Sequence, residues 1–246
     1  MKFLDRIKSL ERHARSGSKD RCQALIAALT DRSPSVRGKA ATLLAEIGET
    51  GAIPAITKLL SDINREVRYD VVEALGILLS GTRKAPAQLV RLLSDRDPLV
   101  RIQTLDSLSS IGDKRRVRFV ARSLHDLDPL VRAHAAECIA DLGGVQYRRH
   151  LRSQLRKDRN PLVQIGILDA LHRMGERDMF KRLVEKLKSD SYRVRCATAN
   201  SIRALDVNPR NRQMALSALR QARRRPIARA DLEAVRRALR SLLARL

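Results

Sequence analysis

A valine followed by a polar residue recurs at positions 36, 67, 100, 131, 163 and 194, at intervals of 31, 33, 31, 32 and 31 residues. A period of this length constrains the fold more than any other feature of the chain. One supersecondary unit of that size cannot bury its own apolar face, so successive units must stack. From each valine, apolar positions follow at +4, +8 and +11: Ala40, Leu44 and Ile47 in the first unit, Ile167, Leu171 and Met174 in the fifth. Steps of 4, 4 and 3 put these residues on one stripe of an α-helix. Thr104 and Thr198 stand at +4 in the third and sixth units, where the stripe is otherwise aliphatic. Leu108 and Ile139, at +8, are expected to be buried.

The helix boundaries repeat as well. Three residues before each valine stand Ser33, Asn64, Asp97, Asp128, Asn160 and Ser191. All six are side chains suited to cap a helix N-terminus. Pro34, Pro98, Pro129 and Pro161 follow directly, in the first turn where proline is tolerated. Gly48, Gly112, Gly143 and Gly175 stand where a left-handed residue would close the helix. A shorter apolar segment precedes each cap, as in Ile53, Ile56, Leu59 and Leu60, so each unit reads as helix A, tight turn, helix B. A degenerate seventh unit is expected from an A helix near Asn211–Ala222 and a B stripe through Pro226, Ala228, Arg229, Leu232, Val235 and Leu239. The units run over about 20–48, 51–79, 85–112, 114–143, 146–175, 177–206 and 209–245 of one domain, 1–246. At roughly 10 Å per layer they would form a rod or arc of about 70 Å. Residues 2–15 carry an apolar stripe of Phe3, Leu4, Ile7 and Leu10 flanked by basic residues. It is expected to cap the open first repeat rather than to lie on a membrane.

The segments Asp95-Arg96-Asp97-Pro98-Leu99-Val100-Arg101 and Asp126-Leu127-Asp128-Pro129-Leu130-Val131-Arg132 resemble the A–B turn of HEAT repeats. They are similar to the short type also found in phycobilisome-lyase-like proteins. Ala52-Ile53-Pro54-Ala55-Ile56 resembles the opening of the A helix in that family. The resemblance covers about residues 20–246 and implies an all-α fold, an α-α superhelix (HEAT-like solenoid) of about seven helix-turn-helix repeats, right-handed. Tetratricopeptide repeats fit less well, since the period is too short and their aromatic positions are absent. Fold resemblance of this kind says little about function.

Two charged rows follow from the register. Asp31, Asp62, Asp95, Asp126 and Asp158 lie five residues before their valines, and Arg37, Arg68, Arg101, Arg132 and Arg195 lie one after. Stacking brings these together as an internal hydrogen-bonded spine, with a charged binding row as the alternative. Gln164 interrupts the row in unit five, and Asp190 is one position out of register in unit six. The second row is the helix B face at +3, +6 and +10, which the resemblance implies is concave. It holds seven acidic residues against two basic. Its acidic members Asp70, Glu73, Asp106, Glu137 and Asp169 form an alternative recognition surface, for a basic segment.

The whole chain is nevertheless strongly basic, with a net charge of +23 over 246 residues. Residues 151–246 carry fifteen of those charges, mostly on A helices and turns. The candidate partner-binding residues are Arg148, Arg149, Arg152, Arg156, Lys157, Arg159, Lys181, Arg182, Lys186, Lys188, Arg220, Arg223, Arg224 and Arg225. A further basic row follows the turns through Arg32, Arg65, Arg96, Arg159 and Arg193. Clustered arginine suits carboxylate and phosphate equally. The expected function is therefore a non-enzymatic scaffold that docks an acidic protein on this C-terminal surface. The main alternative is nucleic-acid backbone binding, and its enzymatic form is a HEAT-like DNA glycosylase acting on alkylated purines. That class relies on aromatic side chains beside a catalytic aspartate. Here aromatics are 2% of the chain with no tryptophan, and Tyr69 is the one ring near the acidic row. Bilin attachment is a lesser alternative, without a lyase-specific motif.

No catalytic or metal motif appears. His134 and Cys138 have ligand-like i, i+4 spacing, but two ligands on one helix do not close a zinc site. No cofactor and no metal are expected. Three cysteines far apart in sequence do not form a disulfide framework and point to a reducing, cytoplasmic setting. Residues 1–16 lack the apolar core of a secretion signal.

Overall fold

In the computed structural model, residues 3–15, 21–205, 208–223 and 229–244 are described, with backbone alone at 3, 4, 13, 21, 223 and 229–232. The described chain is helical and divides into two compact units, Met1–Ser123 and Leu124–Leu246. In the first unit, α1 (Phe3–Arg15) packs on α2 (Arg21–Ala28) and α3 (Pro34–Glu46). There follow α4 (Ile53–Lys58), α5 (Arg65–Leu78), α6 (Ala87–Arg91), α7 (Pro98–Ile111) and α8 (Val117–Val120). The B helices α3, α5 and α7 pack in sequence, each on the next. The second unit holds α9 (Pro129–Asp141), α10 (Arg148–Lys157), α11 (Pro161–Arg173), α12 (Arg177–Glu185), α13 (Tyr192–Ala204), α14 (Pro209–Arg223) and α15 (Arg229–Leu243). Its B helices α9, α11, α13 and α15 again pack in order, while the A helices α12 and α14 lie side by side. Each unit is thus a stretch of α-α solenoid. No described helix is long and apolar enough to cross a membrane.

The predicted stripe is the core. Val36, Val67, Val100, Val131, Val163 and Val194 are all at most 3% exposed, and Leu108 and Ile139 are fully buried. Ile47 is the one half-buried member among the described residues, while Pro226, Ala228 and the side chains of Arg229 and Leu232 lie outside them. The two threonines are also fully buried, and each hydroxyl donates to the carbonyl four residues back (Val100 and Val194) at 2.7 Å. That internal bond removes the desolvation cost of placing a hydroxyl in an aliphatic layer.

The expected caps form at four of the six positions. Asn64, Asp97, Asp128 and Asn160 accept helix N–H groups, whereas Ser33 and Ser191 hold the same extended backbone without a side-chain cap bond. Gly48, Gly112, Gly143 and Gly175 all adopt positive φ, between 69° and 94°. Several A helices tighten into a 3-10 turn before the A–B turn, as at Leu59–Ser61, Leu92–Ser94 and Lys186–Lys188.

Gly166 allows a close approach of α11 to α9. A Cβ placed there would stand 2.8 Å from the Ala133 carbonyl oxygen and 3.1 Å from that residue's Cα. Those are backbone atoms, so α9 and α11 would have to separate. Replacing a mid-helix glycine by alanine gains about 1 kcal/mol of helix propensity, while overpacking costs about 1–3 kcal/mol. Gly166→Ala is expected to be destabilising by up to about 2 kcal/mol net in urea unfolding. Unchanged or increased stability would show that the two helices part freely.

Candidate functional site

The Asp/Arg row is an internal spine with one rule throughout. At each rung the residue after the valine donates to the backbone carbonyl of its own layer: Arg37 to Asp31, Arg68 to Asp62, Arg101 to Asp95 and Arg132 to Asp126, at 2.7–2.9 Å. Gln164 donates likewise to Asp158 and Arg195 to Ser189. Three of the arginines reach forward as a fork to the carboxylate of the next layer: Arg37 to Asp62, Arg68 to Asp95 and Arg132 to Asp158, each with a 2.7 Å bond from Nε. Each of these aspartates also accepts the backbone N–H two residues on, closing the A–B turn. Burial would raise these carboxyls, but the arginine forks and turn N–H groups hold Asp62, Asp95 and Asp158 below the ordinary carboxylate value. The row is therefore structural.

Two irregularities in the row are compensated in space. Lys186 Nζ donates to Gln164 Oε1, bringing a cation from the following repeat to the rung that lacks one. Ser189 takes the turn-closing role by accepting the Ser191 N–H. The spine also extends past its predicted start, since Arg6 of α1 donates to both oxygens of Asp31 at 2.8 Å. Arg6 falls outside the repeat register, and only its packing reveals the role.

The acidic row is not uniformly solvent-facing. Glu73 and Asp106 are exposed, and Asp70 and Glu137 are partly covered. Asp169 is buried, at 7% exposure. Groups from α9, α11 and α13 surround it. Arg173 sits at the centre of the resulting cluster. It pairs with Asp169 at 3.2 Å and with Asp141, and it donates to the Glu137 carbonyl. The Ser201 hydroxyl approaches from α13, yet Asp169 Oδ1 completes no hydrogen bond of normal geometry. Burial lifts the Asp169 carboxyl to about 6, with Arg173 opposing and Asp141 adding to the rise.

The basic candidates separate into engaged and open groups. Arg148 and Arg152 both pair with Glu176, Arg148 also donates to the Met174 carbonyl, and Lys186 belongs to the spine. Arg182 contacts the Met179 sulfur. Lys188 and Arg220 are exposed. Arg149, Arg156, Lys157, Arg159 and Lys181 are exposed and make no ion pair among the described residues. At 100° per residue, Arg149, Arg152 and Arg156 share one face of α10 within about 60°. Arg224, Arg225 and the Arg223 side chain lie outside the described residues. On the turns, Arg65 pairs with Asp97 and Arg96 donates to the Ile63 carbonyl, so that row is partly structural.

A groove of 1040 Å³ in the first unit runs between α4 and α6, with Lys58, Arg91 and exposed Ile63 on its walls. Its carboxylates, Asp62 and Asp95, are the two already held by spine arginines. Cys138 lies on the buried side of α9, at 1% exposure, which removes it from any solvent-facing pair with His134. The structure does bring together two histidines that share no sequence spacing: His125 and His150 approach with Nε2 atoms 3.3 Å apart.

A family model described as HEAT repeats matches residues 22–95, 78–140 and 148–242. Among solved structures, the complex of CpcE and CpcF of phycocyanin lyase from Nostoc sp. PCC7120 is similar, with a TM-score of 0.65 and 19% identity over 93% of this chain and 97% of that chain. An engineered protein is also similar, with a TM-score of 0.43 and 18% identity over 91% of this chain and 96% of that chain. No curated protein matches the chain.

Proposed function

Because the chain belongs to the HEAT-repeat family, we propose that it is a non-enzymatic scaffold that docks an acidic protein partner on the basic A-helix surface of its second unit. The observation that carries this reading is the group of exposed cations Arg149, Arg156, Lys157, Arg159 and Lys181, which no carboxylate of the described residues neutralises. Cations left open on a helical frame keep their donors for an external anion, with no internal ion pair to break first. The spine supports the same reading: its charges are consumed internally, so it holds the frame and leaves recognition to the outer helices.

The test is fluorescence anisotropy with a labelled polyglutamate peptide and with labelled duplex DNA at about 150 mM salt. The wild-type chain is expected to bind the acidic peptide. The triple variant Arg149→Glu/Arg156→Glu/Lys181→Glu is expected to bind it about tenfold or more weakly, with an unchanged helical spectrum. Equal binding by the variant would reject this surface. Tight binding to DNA with none to the peptide would replace the protein-docking reading by backbone recognition of nucleic acid.

A further inference from the structure

We propose that His125 and His150 form a two-histidine site for a d-block cation of the Zn²⁺, Cu²⁺ and Ni²⁺ class. His125 closes the 3-10 segment before the fourth A–B turn, and His150 lies in the first turn of α10. Twenty-five residues apart in sequence, they meet with ring centroids 5.4 Å apart and planes at 88°. Both rings are exposed, so a hydrated ion reaches them without moving a covering group.

Three arguments converge on a metal. The first is distance. A tetrahedral ion with metal–nitrogen bonds of about 2.0–2.1 Å spans a ligand–ligand edge of about 3.3–3.4 Å. The Nε2–Nε2 separation is 3.3 Å. The second is the lone-pair count. Two neutral imidazoles at this separation share one proton, one ring donating from Nε2 and the other accepting. A bound cation replaces that proton and engages both Nε2 lone pairs. The donor ring shifts its proton to Nδ1, so no net proton is released. The third is donor chemistry. Neutral imidazole nitrogen selects zinc, copper and nickel, whereas calcium and magnesium require oxygen ligands.

Among the described residues, no group of three or more His, Cys, Asp or Glu could complete a closed site. The remaining coordination positions therefore belong to water. They face solvent on the helix that also carries Arg149 and Arg152, where an oxyanion could replace the water. Metal binding itself does not depend on the docking reading.

The test titrates tag-free, metal-stripped protein with Zn²⁺ by calorimetry and with Cu²⁺ by electron paramagnetic resonance. One ion per chain is expected, in the micromolar range, with copper hyperfine structure from two nitrogens. Loss of even a supporting group around a metal costs about 10–100-fold in affinity. His125→Ala and His150→Ala are each expected to weaken zinc at least tenfold, and His134→Ala to leave it unchanged. Both substituted side chains are exposed, so the variants keep the fold, which circular dichroism verifies. No zinc uptake by the wild type, or unchanged affinity in either single variant, overturns the proposal. Because the titration contains no partner, neither result bears on the peptide-binding experiment.

Discussion

Asp95→Ala is expected to lose about 3–5 kcal/mol of folding stability, far more than the few contacts deleted would suggest. Asp95 and Arg68 are each only 6% exposed at the side chain, and Nε and Nη2 of Arg68 fork onto the two carboxylate oxygens at 2.7 and 2.8 Å. The remaining guanidinium donor already serves the Asp62 and Ile63 carbonyls. Deleting the carboxylate leaves a buried guanidinium without its counter-charge and also opens the turn closed by the Asp97 N–H. Deleting both charges together removes the uncompensated partner, so Arg68→Met/Asp95→Ala is expected to cost much less than the sum of Arg68→Met and Asp95→Ala taken singly. Chemical denaturation of the two single variants and the double variant measures the coupling. Additive costs would mean that the pair is not a unit, and the spine would lose its structural standing.

Asp169→Asn is expected to stabilise the protein at pH 7–8 and to leave it unchanged near pH 4. The folded-state carboxyl titrates at about 6 against an ordinary 3.8. Between those values the folded chain holds a proton that the unfolded chain has already released. This group's contribution is therefore fully present below about pH 4, falls as the pH rises to about 6, and is flat above. A shift of about two units is worth roughly 3 kcal/mol at 1.36 kcal/mol per unit. Arg173, Asp141 and Glu137 face the group from α11 and α9, and Ser201 from α13. That shift already includes the opposing pair with Arg173, so a gain of up to about 3 kcal/mol is expected for the neutral isostere. Subtracting the two pH–stability curves isolates this residue from Asp62, Asp95 and Asp158, whose lowered pKa values act in the opposite direction at acid pH. Parallel curves, or a less stable Asn variant at pH 7, would show that the Arg173 pair outweighs the cost of burial.

Much of the frame was legible because it is local and periodic. The valine register, the 4-4-3 stripe and the C-terminal glycines each depend on residues within one helix or turn, and each appears where the spacing placed it. Even the threonines at +4 are legible as stripe positions from their spacing, although the back-bond that makes them tolerable is visible only in three dimensions. Legibility fell where a role depends on a neighbour about one repeat away. Gln164 reads as a break in the spine, yet Lys186 fills it from the next repeat. Asp169 reads as an exposed member of an acidic row, yet neighbours on α9 and α13 close over it and bury it. Arg148 and Arg152 read as open cations, yet Glu176 claims both.

The repeat, the helix boundaries, the buried stripe and the excess of positive charge are legible in the chain alone, because helix periodicity and capping are properties of short segments. Which charges are spent follows from how the layers pack. An arginine is a strut or a binding group according to whether a carboxylate from the adjoining layer lies about 3 Å away, and no spacing within one repeat reports that distance. The same holds for His125 and His150, whose rings face each other only because α10 stacks beside the turn that ends the preceding A helix.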